Sequence, residues 1–299
     1  MSEGQTVPRL RVGLGFKREC LRWVYGLAEL EAISTMENLI TLETLQKDLV
    51  LLTLNRPERR NALCIAMLDE LCQQIESLTS KKATRVLIIA GAGPVFCSGM
   101  DLSEASQANL VHQCASSLAK TFELMRSTEL VTIAAAHGGA YAGGAGLMAS
   151  CDLAIGTTDL KIGFPEARRG LLPALICAVM SPKVREGDLR ELYLVGNTID
   201  ANRAQQMGLL QRIVSQEVLL KTAIGLAEGV LAGGVQTVKA IKKLLNQAYA
   251  TRESVSIARM LELHLNARYG SEAEEGSEAE EGLAAFLEKR LPNWAAPDA

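Results

Sequence analysis

The stretch from Ile133 to Asp152 constrains the fold most, because it joins three kinds of local structure over a short length of chain. An apolar run typical of a buried strand leads into a glycine-dense turn and then into a helix of small residues. Glycine lets the backbone approach a ligand closely and adopt positive φ without steric cost. The helix start adds unpaired N–H groups and a partial positive charge. This pattern predicts a site for an anion, or for an oxygen that becomes anionic during a reaction. Close packing of strand against helix explains the same glycines equally well.

A second glycine-containing segment, Gly93–Leu102, lies upstream of this stretch. It follows a continuous apolar run and precedes a helical pattern, so it also lies at the carboxyl end of a predicted strand. In open α/β sheets that end is where ligands bind. Two separate loops, each offering a backbone N–H, could together polarise one carbonyl oxygen.

Strands alternate with helices from Leu39 onward, which predicts a mainly parallel sheet. The predicted strands are Ile40–Leu45, Asp48–Leu54, Arg85–Ala90, Val131–Ala136 and Asp152–Ile155. One predicted helix buries Met67, Leu68, Leu71, Ile75 and Leu78, with Asn61 as its candidate cap, and another spans Val111–Arg126.

After Thr198 the pattern changes to helices without strands, which we interpret as a packing or oligomerisation module. The predicted helices are Ala201–Met207, Glu217–Ala232, Val235–Ala250 and Ser254–Tyr269. We therefore divide the chain into a leader or mis-assigned start (1–36), a core that carries the site (37–197) and a helical region (198–299).

Composition narrows the functional classes. The 299 residues carry a formal net charge of −3, which gives no global electrostatic reason to bind nucleic acid. The seven cysteines are never spaced as CxxC, so we expect neither a disulfide framework nor a metal site. Scattered cysteines of this kind also favour a reducing compartment. No apolar run is long enough to span a bilayer. We expect a cytoplasmic protein, or a mitochondrial one if residues 1–35 are a targeting leader. A translation start at Met36 is a simpler account of that segment.

Several motifs, in order along residues 37–294, resemble the crotonase, or enoyl-CoA hydratase/isomerase, superfamily. They are Asn55-Arg56-Pro57 with Asn61-Ala62-Leu63, then Phe96 to Leu102, Gly138 to Asp152, Phe164-Pro165-Glu166 with Gly170, and Phe286 to Trp294. The resemblance implies an α/β fold, a crotonase-like spiral of β-β-α repeats, with a C-terminal helical region that drives formation of a homotrimer or homohexamer.

The same resemblance implies binding of an acyl-CoA thioester and stabilisation of its enolate. By motif position, the N–H groups of Met100 and Gly143 are the expected oxyanion donors, and Glu166 is the expected acid/base. Further residues expected to bind the CoA thioester are Ser98, Gly99, Asp101, Gly144, Arg56 and Arg60. Coenzyme A is then part of the substrate, and we expect no separate cofactor and no metal.

The chain departs from the superfamily pattern at Gly146, where hydratases of the superfamily usually carry a first glutamate. This leaves Glu166 as a single acid/base. Our first expectation is hydration of a 2-enoyl-CoA. The single glutamate also suits a 3-enoyl- to 2-enoyl-CoA isomerase, and a non-catalytic binding or scaffold protein stays open as a third alternative.

Other residues of these motifs have simpler structural interpretations. Asp101 is expected to cap the helix that follows it. His137 is expected to be a hydrogen-bonded structural histidine, and Cys97 a small buried apolar residue. Arg56 and Arg60 fit surface charge as well as they fit phosphate ligands.

Overall fold

The computed structural model describes residues 38–81, 83–105, 107, 109–166 and 173–250, together with 288, 290 and 293. The described residues from Leu39 onward belong to one compact unit. The proposed leader and the predicted helix Ser254–Tyr269 lie outside the described residues.

Nine strands and nine helices make up the described part of the chain. The strands are β1 (Ile40–Gln46), β2 (Asp48–Leu54), β3 (Thr84–Gly91), β4 (Val131–Ala136), β5 (Gly139–Tyr141), β6 (Leu153–Thr157), β7 (Lys161–Gly163), β8 (Thr198–Asp200) and β9 (Arg212–Val214). The helices are α1 (Ile65–Lys81), α2 (Leu102–Ala105), α3 (Val111–Ser127), α4 (Gly143–Ser150), α5 (Ala174–Met180), α6 (Glu186–Arg190), α7 (Ala201–Gln206), α8 (Leu219–Leu231) and α9 (Val235–Ala250).

A six-stranded sheet in the order β1-β2-β3-β4-β6-β9 forms the centre of the fold. β1 and β2 form an antiparallel hairpin, whereas every other neighbouring pair is parallel. The apolar runs of β3 and β4 are buried on both faces, because helices cover each side. Ile88 and Ile133 pack in a cluster that includes Ala223 of α8, and Leu87 and Ala134 belong to the main core on the opposite face. The predicted α/β class with a mainly parallel sheet is confirmed.

A second, smaller sheet has the order β5-β7-β8. β5 and β7 are parallel, with Ala140 opposite Ile162 and Tyr141 opposite Gly163. β8 adds to the other edge of β7 in the antiparallel sense. This small sheet carries the glycine-rich turn and the segment that leads to Glu166.

The prediction of helices without strands after Thr198 is wrong. β8 begins at Thr198 itself, and β9 pairs with β6 at the edge of the large sheet. Both strands have only three residues, so neither produces a recognisable apolar alternation. The predicted helix Glu217–Ala232 is observed as a 3₁₀ turn, Gln216–Val218, followed by α8.

The ammonium group of Lys242 fastens α9 to the core. Its Nζ donates to the carbonyl oxygen of Leu130 at 2.6 Å and to Oδ2 of Asp152 at 2.8 Å. The same carboxylate oxygen accepts from the amide of Thr132 at 2.7 Å. The side chain of Lys242 is only 7% exposed, so the paired carboxylate offsets much of the cost of burying its charge.

No described helix is by itself long and apolar enough to cross a membrane. One bent pair of helices, Gln216–Leu231 and Val235–Ala248, has the length and composition of a membrane span only when the two are taken together. The six cysteines in the described residues are free thiols. Among the described residues there is also no cluster of side chains suited to hold a metal ion.

Candidate active site

Three parallel segments end at one edge and bring the predicted site residues together. Cys97 pairs with Ala140 of β5 in a parallel bridge, and Ala140 pairs with Ile162 of β7. The chain then reaches Met100 from the first segment, Gly143 from the second and Glu166 from the third. Parallel strands point their carboxyl ends the same way, so two backbone amides and one carboxylate arrive at the same side of the small sheet.

The two amides lie close together because glycine permits a tight contact between their loops. Gly99 has φ +95°, and a β-carbon there would lie 2.8 Å from the carbonyl oxygen of Tyr141. A β-carbon on Gly143 would lie 3.7 Å from the amide nitrogen of Met100. Within the described part of the chain, neither the Met100 amide nor the Gly143 amide donates to a backbone carbonyl outside its own element. Their joint role as oxyanion donors stays a prediction.

Ala142 holds the Gly143 amide in its orientation through an unusual backbone conformation. Its φ is 49° and its ψ is −124°, outside the regions that L-residues ordinarily adopt. Hydrogen bonds fix the residue on both sides: its N–H donates to Gly163 O at 2.9 Å, and its carbonyl accepts from the Gly146 amide at 3.0 Å. Such strain persists only where surrounding contacts impose it, and it occurs preferentially at functional sites.

Asn61 supports the loop that carries Met100, and its predicted role as cap of α1 is wrong. The residue is completely buried, with φ +53°. Its Nδ2 donates to three carbonyl oxygens, those of Ala92, Val95 and Phe96, at 2.8–3.1 Å. The start of α1 is satisfied instead by Glu104, whose Oε2 accepts from the Ile65 amide at 2.8 Å. Asn61 therefore braces the loop that follows β3.

Asp101 caps α2, as predicted, and also forms an ion pair with Arg56. Its Oδ1 accepts from the Ser103 amide at 2.9 Å, and its Oδ2 lies 2.5 Å from Arg56 Nη1. Burial alone would raise the pKa of Asp101, but the hydrogen bonds from Ser103 and Arg56 lower it to about 2. Because this pKa is below the unfolded value of about 3.9, the interaction stabilises the fold above about pH 4 and is lost as the pH falls toward 2.

The guanidinium of Arg56 is turned inward. Besides Asp101, it donates to the carbonyl oxygen of Ala62 at 3.1 Å, and its side chain is 18% exposed. This residue links the turn after β2 to the loop of Met100. Arg60 is exposed, and its carbonyl accepts from the Ser98 amide at 3.0 Å. Contacts of Arg56, Arg60 and Ser98 with CoA stay predictions.

The position of the missing glutamate is filled by an aromatic ring. A β-carbon on Gly146 would lie 2.6 Å from Phe122 Cζ and 3.5 Å from Ile176 Cγ1. Phe122 comes from α3 and is buried. A carboxylate side chain at position 146 would therefore require Phe122 to move. The wall formed by Phe122 and Ile176 is apolar.

His137 and Cys97 have the structural roles expected for them, whereas contacts of Gly99, Asp101 and Gly144 with CoA stay predictions. His137 is buried, and its Nε2 donates to the carbonyl of Gly93 at 2.8 Å. Cys97 donates to Asn61 O at 3.1 Å, and burial raises the pKa of its thiol to about 12, so it stays neutral. A β-carbon on Gly144 would lie 2.7 Å from the Cys97 sulfur, which shows how closely α4 packs on this loop.

Glu166 completes the constellation at the end of the third segment. Its side chain follows Phe164, which is fully buried, and the residue is 7% exposed. Glu166 is therefore a largely buried carboxyl group just beyond the end of β7.

The matched family model is described as "Enoyl-CoA hydratase/isomerase" and covers residues 44–297. The chain belongs to the enoyl-CoA hydratase/isomerase family. The zebrafish (Danio rerio) "Enoyl-CoA hydratase domain-containing protein 3, mitochondrial" is 31% identical over 87% of this chain and 89% of that protein. The Escherichia coli "2,3-dehydroadipyl-CoA hydratase" is 27% identical over 83% of this chain and 96% of that protein.

Solved structures of the enoyl-CoA hydratase/isomerase family match the fold. The enoyl-CoA hydratase of Mycobacterium smegmatis superimposes with a TM-score of 0.79 at 27% identity, covering 87% of this chain and all of that one. The enoyl-CoA hydratase of Bacillus anthracis gives a TM-score of 0.78 at 28% identity, covering 85% and 98% of the two chains. The crotonase fold predicted from the motifs is confirmed, and the family is one of enzymes that act on CoA thioesters.

Proposed function

We propose that this enzyme binds an acyl-CoA thioester and stabilises its enolate between the amides of Met100 and Gly143, with Glu166 as the single acid/base. The observation that carries this proposal is the common edge at which three parallel segments deliver these residues. The three groups match what enolate chemistry needs: two donors for the oxygen and one proton carrier for the carbon.

Two preorganised N–H donors favour the enolate over the neutral thioester. Negative charge develops on the thioester oxygen when an enolate forms, and fixed donors in a water-excluded site stabilise that charge more than solvent does. Phe122 and Leu118 supply apolar surface on the side of α3, since both are buried and face α4. This reaction needs neither a metal ion nor a redox step, and coenzyme A enters the site as part of the substrate.

Hydration of a 2-enoyl-CoA is our first candidate reaction. A water oxygen adds to carbon 3 while its proton passes to Glu166, the electron pair moves to the thioester oxygen, and Glu166 returns the proton to carbon 2. The net result is addition of one water, and the carboxylate is regenerated. Support comes from the names of the relatives, several of which are hydratases.

Isomerisation of a 3-enoyl-CoA to the 2-enoyl-CoA is the second candidate. The aromatic ring of Phe122 in the place of a second carboxylate favours it. One base then removes a proton from carbon 2 and returns it to carbon 4, which needs no bound water. The trimeric or hexameric assembly, the cytoplasmic location and the absence of a nucleic-acid partner stay predictions.

The products of crotonyl-CoA and of 3-hexenoyl-CoA, followed by mass, separate these reactions. For the first candidate we expect crotonyl-CoA to gain the mass of one water. Conversion of 3-hexenoyl-CoA without change of mass, with crotonyl-CoA left intact, would make the protein an isomerase. A protein that binds both thioesters and converts neither would be a binding protein, and the enzymatic proposal would be withdrawn.

A further inference from the structure

A single π-helical turn, Glu191–Val195, follows α6 and carries Tyr193. Ion pairs hold the turn: Arg203 Nη2 lies 2.6 Å from Glu191 Oε2 and 3.0 Å from Asp188 Oδ1. Gly196 ends the turn with φ +66°. Isolated π turns in α-helical segments are rare and occur frequently at functional sites.

Tyr193, which this turn carries, has a buried hydroxyl group. The ring of Tyr193 packs edge-on against Phe164, with ring centroids 5.4 Å apart and an interplanar angle of 89°. Its hydroxyl oxygen is inaccessible to solvent and has no hydrogen-bond partner in the part of the chain that the structure describes. A phenylalanine would make the same ring contact without burying an unpaired polar atom. Among the described residues, packing alone therefore does not account for the hydroxyl group.

Tyr193 lies on the Glu166 side of the site. Phe164, which its ring contacts, is two residues before Glu166. Burial, followed by the charges of Cys177 and Glu166, raises the pKa of the Tyr193 hydroxyl above its ordinary value. The group therefore stays protonated at all pH values at which the protein is assayed, and it is available as a hydrogen-bond donor.

We propose that Tyr193 is a positioning residue of the acid/base site, whose hydroxyl donates a hydrogen bond, in the substrate complex, to the water molecule held by Glu166. The inference rests on the proposed function and favours its hydration branch. Position 146 carries no carboxylate and Phe122 fills the space beside it, so another group is needed to orient the water oxygen toward carbon 3. Tyr193 keeps its own proton throughout, and the proton that is transferred is the one that Glu166 accepts from water.

The test uses the full-length protein with Tyr193→Phe and Tyr193→Leu, assayed by water addition to crotonyl-CoA. For Tyr193→Phe we expect kcat to fall about 10- to 100-fold with KM within about twofold, the effect of one hydrogen bond within a charged site. We expect the unfolding temperature to stay the same or rise, because an unpaired buried hydroxyl is removed. Tyr193→Leu loses the ring contact as well, so it should unfold at a lower temperature.

The pH profile separates positioning from a purely structural role. A hydrogen bond donated to the water that Glu166 holds favours the ionised carboxylate, so its loss should move the acidic limb of the kcat/KM profile to higher pH. If Tyr193→Phe retains wild-type kcat and the same acidic limb, the inference is wrong even though the enzyme is a hydratase. A wild-type protein that adds no water to crotonyl-CoA would overturn both this inference and the hydration proposal.

Discussion

Glu166→Gln is expected to lower kcat for the thioester reaction by about 10²- to 10⁴-fold, the range for loss of one general acid/base. Glutamine has nearly the same size as glutamate but cannot accept the substrate proton. Position 146 is a glycine whose side-chain space is filled by Phe122, so this position supplies no second carboxylate to take over the role. The effect is measured from steady-state rates with whichever thioester is shown by product mass to be the substrate. The KM should change much less than kcat.

Glu76→Gln is the matched control for this substitution. Glu76 lies on α1 with its side chain 51% exposed and pairs with Lys120 at 3.5 Å. An exposed pair of this kind contributes at most about 1 kcal/mol to stability, so this variant should keep wild-type activity. If Glu166→Gln and Glu76→Gln had equal activity, Glu166 would not be the acid/base.

Gly143→Pro is expected to cost about 10²- to 10³-fold in kcat, because it removes one of the two N–H donors. Gly143 is the first residue of α4, a helix position where proline is tolerated because that N–H has no helical acceptor. Ala142 already holds an unusual conformation, so the folding of the variant is measured by circular dichroism alongside its activity.

Gly143→Ala keeps the N–H and serves as the control. The added β-carbon would lie 3.5 Å from Leu118 Cδ2 and 3.7 Å from Met100 N, which are ordinary contacts. Most of the activity should therefore remain. Equal activity of a folded Gly143→Pro and of Gly143→Ala would show that this amide does not stabilise the enolate.

The long elements could be predicted from the sequence because their apolar patterns are unambiguous. β2 and β4 have the predicted bounds, and α1 buries the predicted face. The sequence pattern does not predict the three-residue strands β5, β7, β8 and β9. Their identity as strands depends on which segment lies beside them, and no local pattern of three residues encodes that pairing.

The glycines predict the loops of the site. The sequence does not show which side chains hold those loops in place. The place of Asn61 before a helix predicts a capping role, but its side chain donates to three carbonyl oxygens of the loop after β3. Phe122 and Tyr193 look like ordinary apolar residues of two helical segments. Their relation to Gly146 and Glu166 arises only from tertiary packing. In the sequence, only the glycine at position 146, in place of the usual glutamate, indicates that another side chain can fill the space beside it.

Deuterium uptake by a saturated thioester tests most directly whether the site forms an enolate. Butyryl-CoA is incubated in D₂O with the wild-type protein, with Glu166→Gln and without protein, and the mass of the recovered thioester is measured. We predict that the wild-type protein exchanges a hydrogen at carbon 2 and that the other two samples do not. Absence of exchange with the wild-type protein under conditions where it binds butyryl-CoA, or equal exchange with Glu166→Gln, would contradict the account.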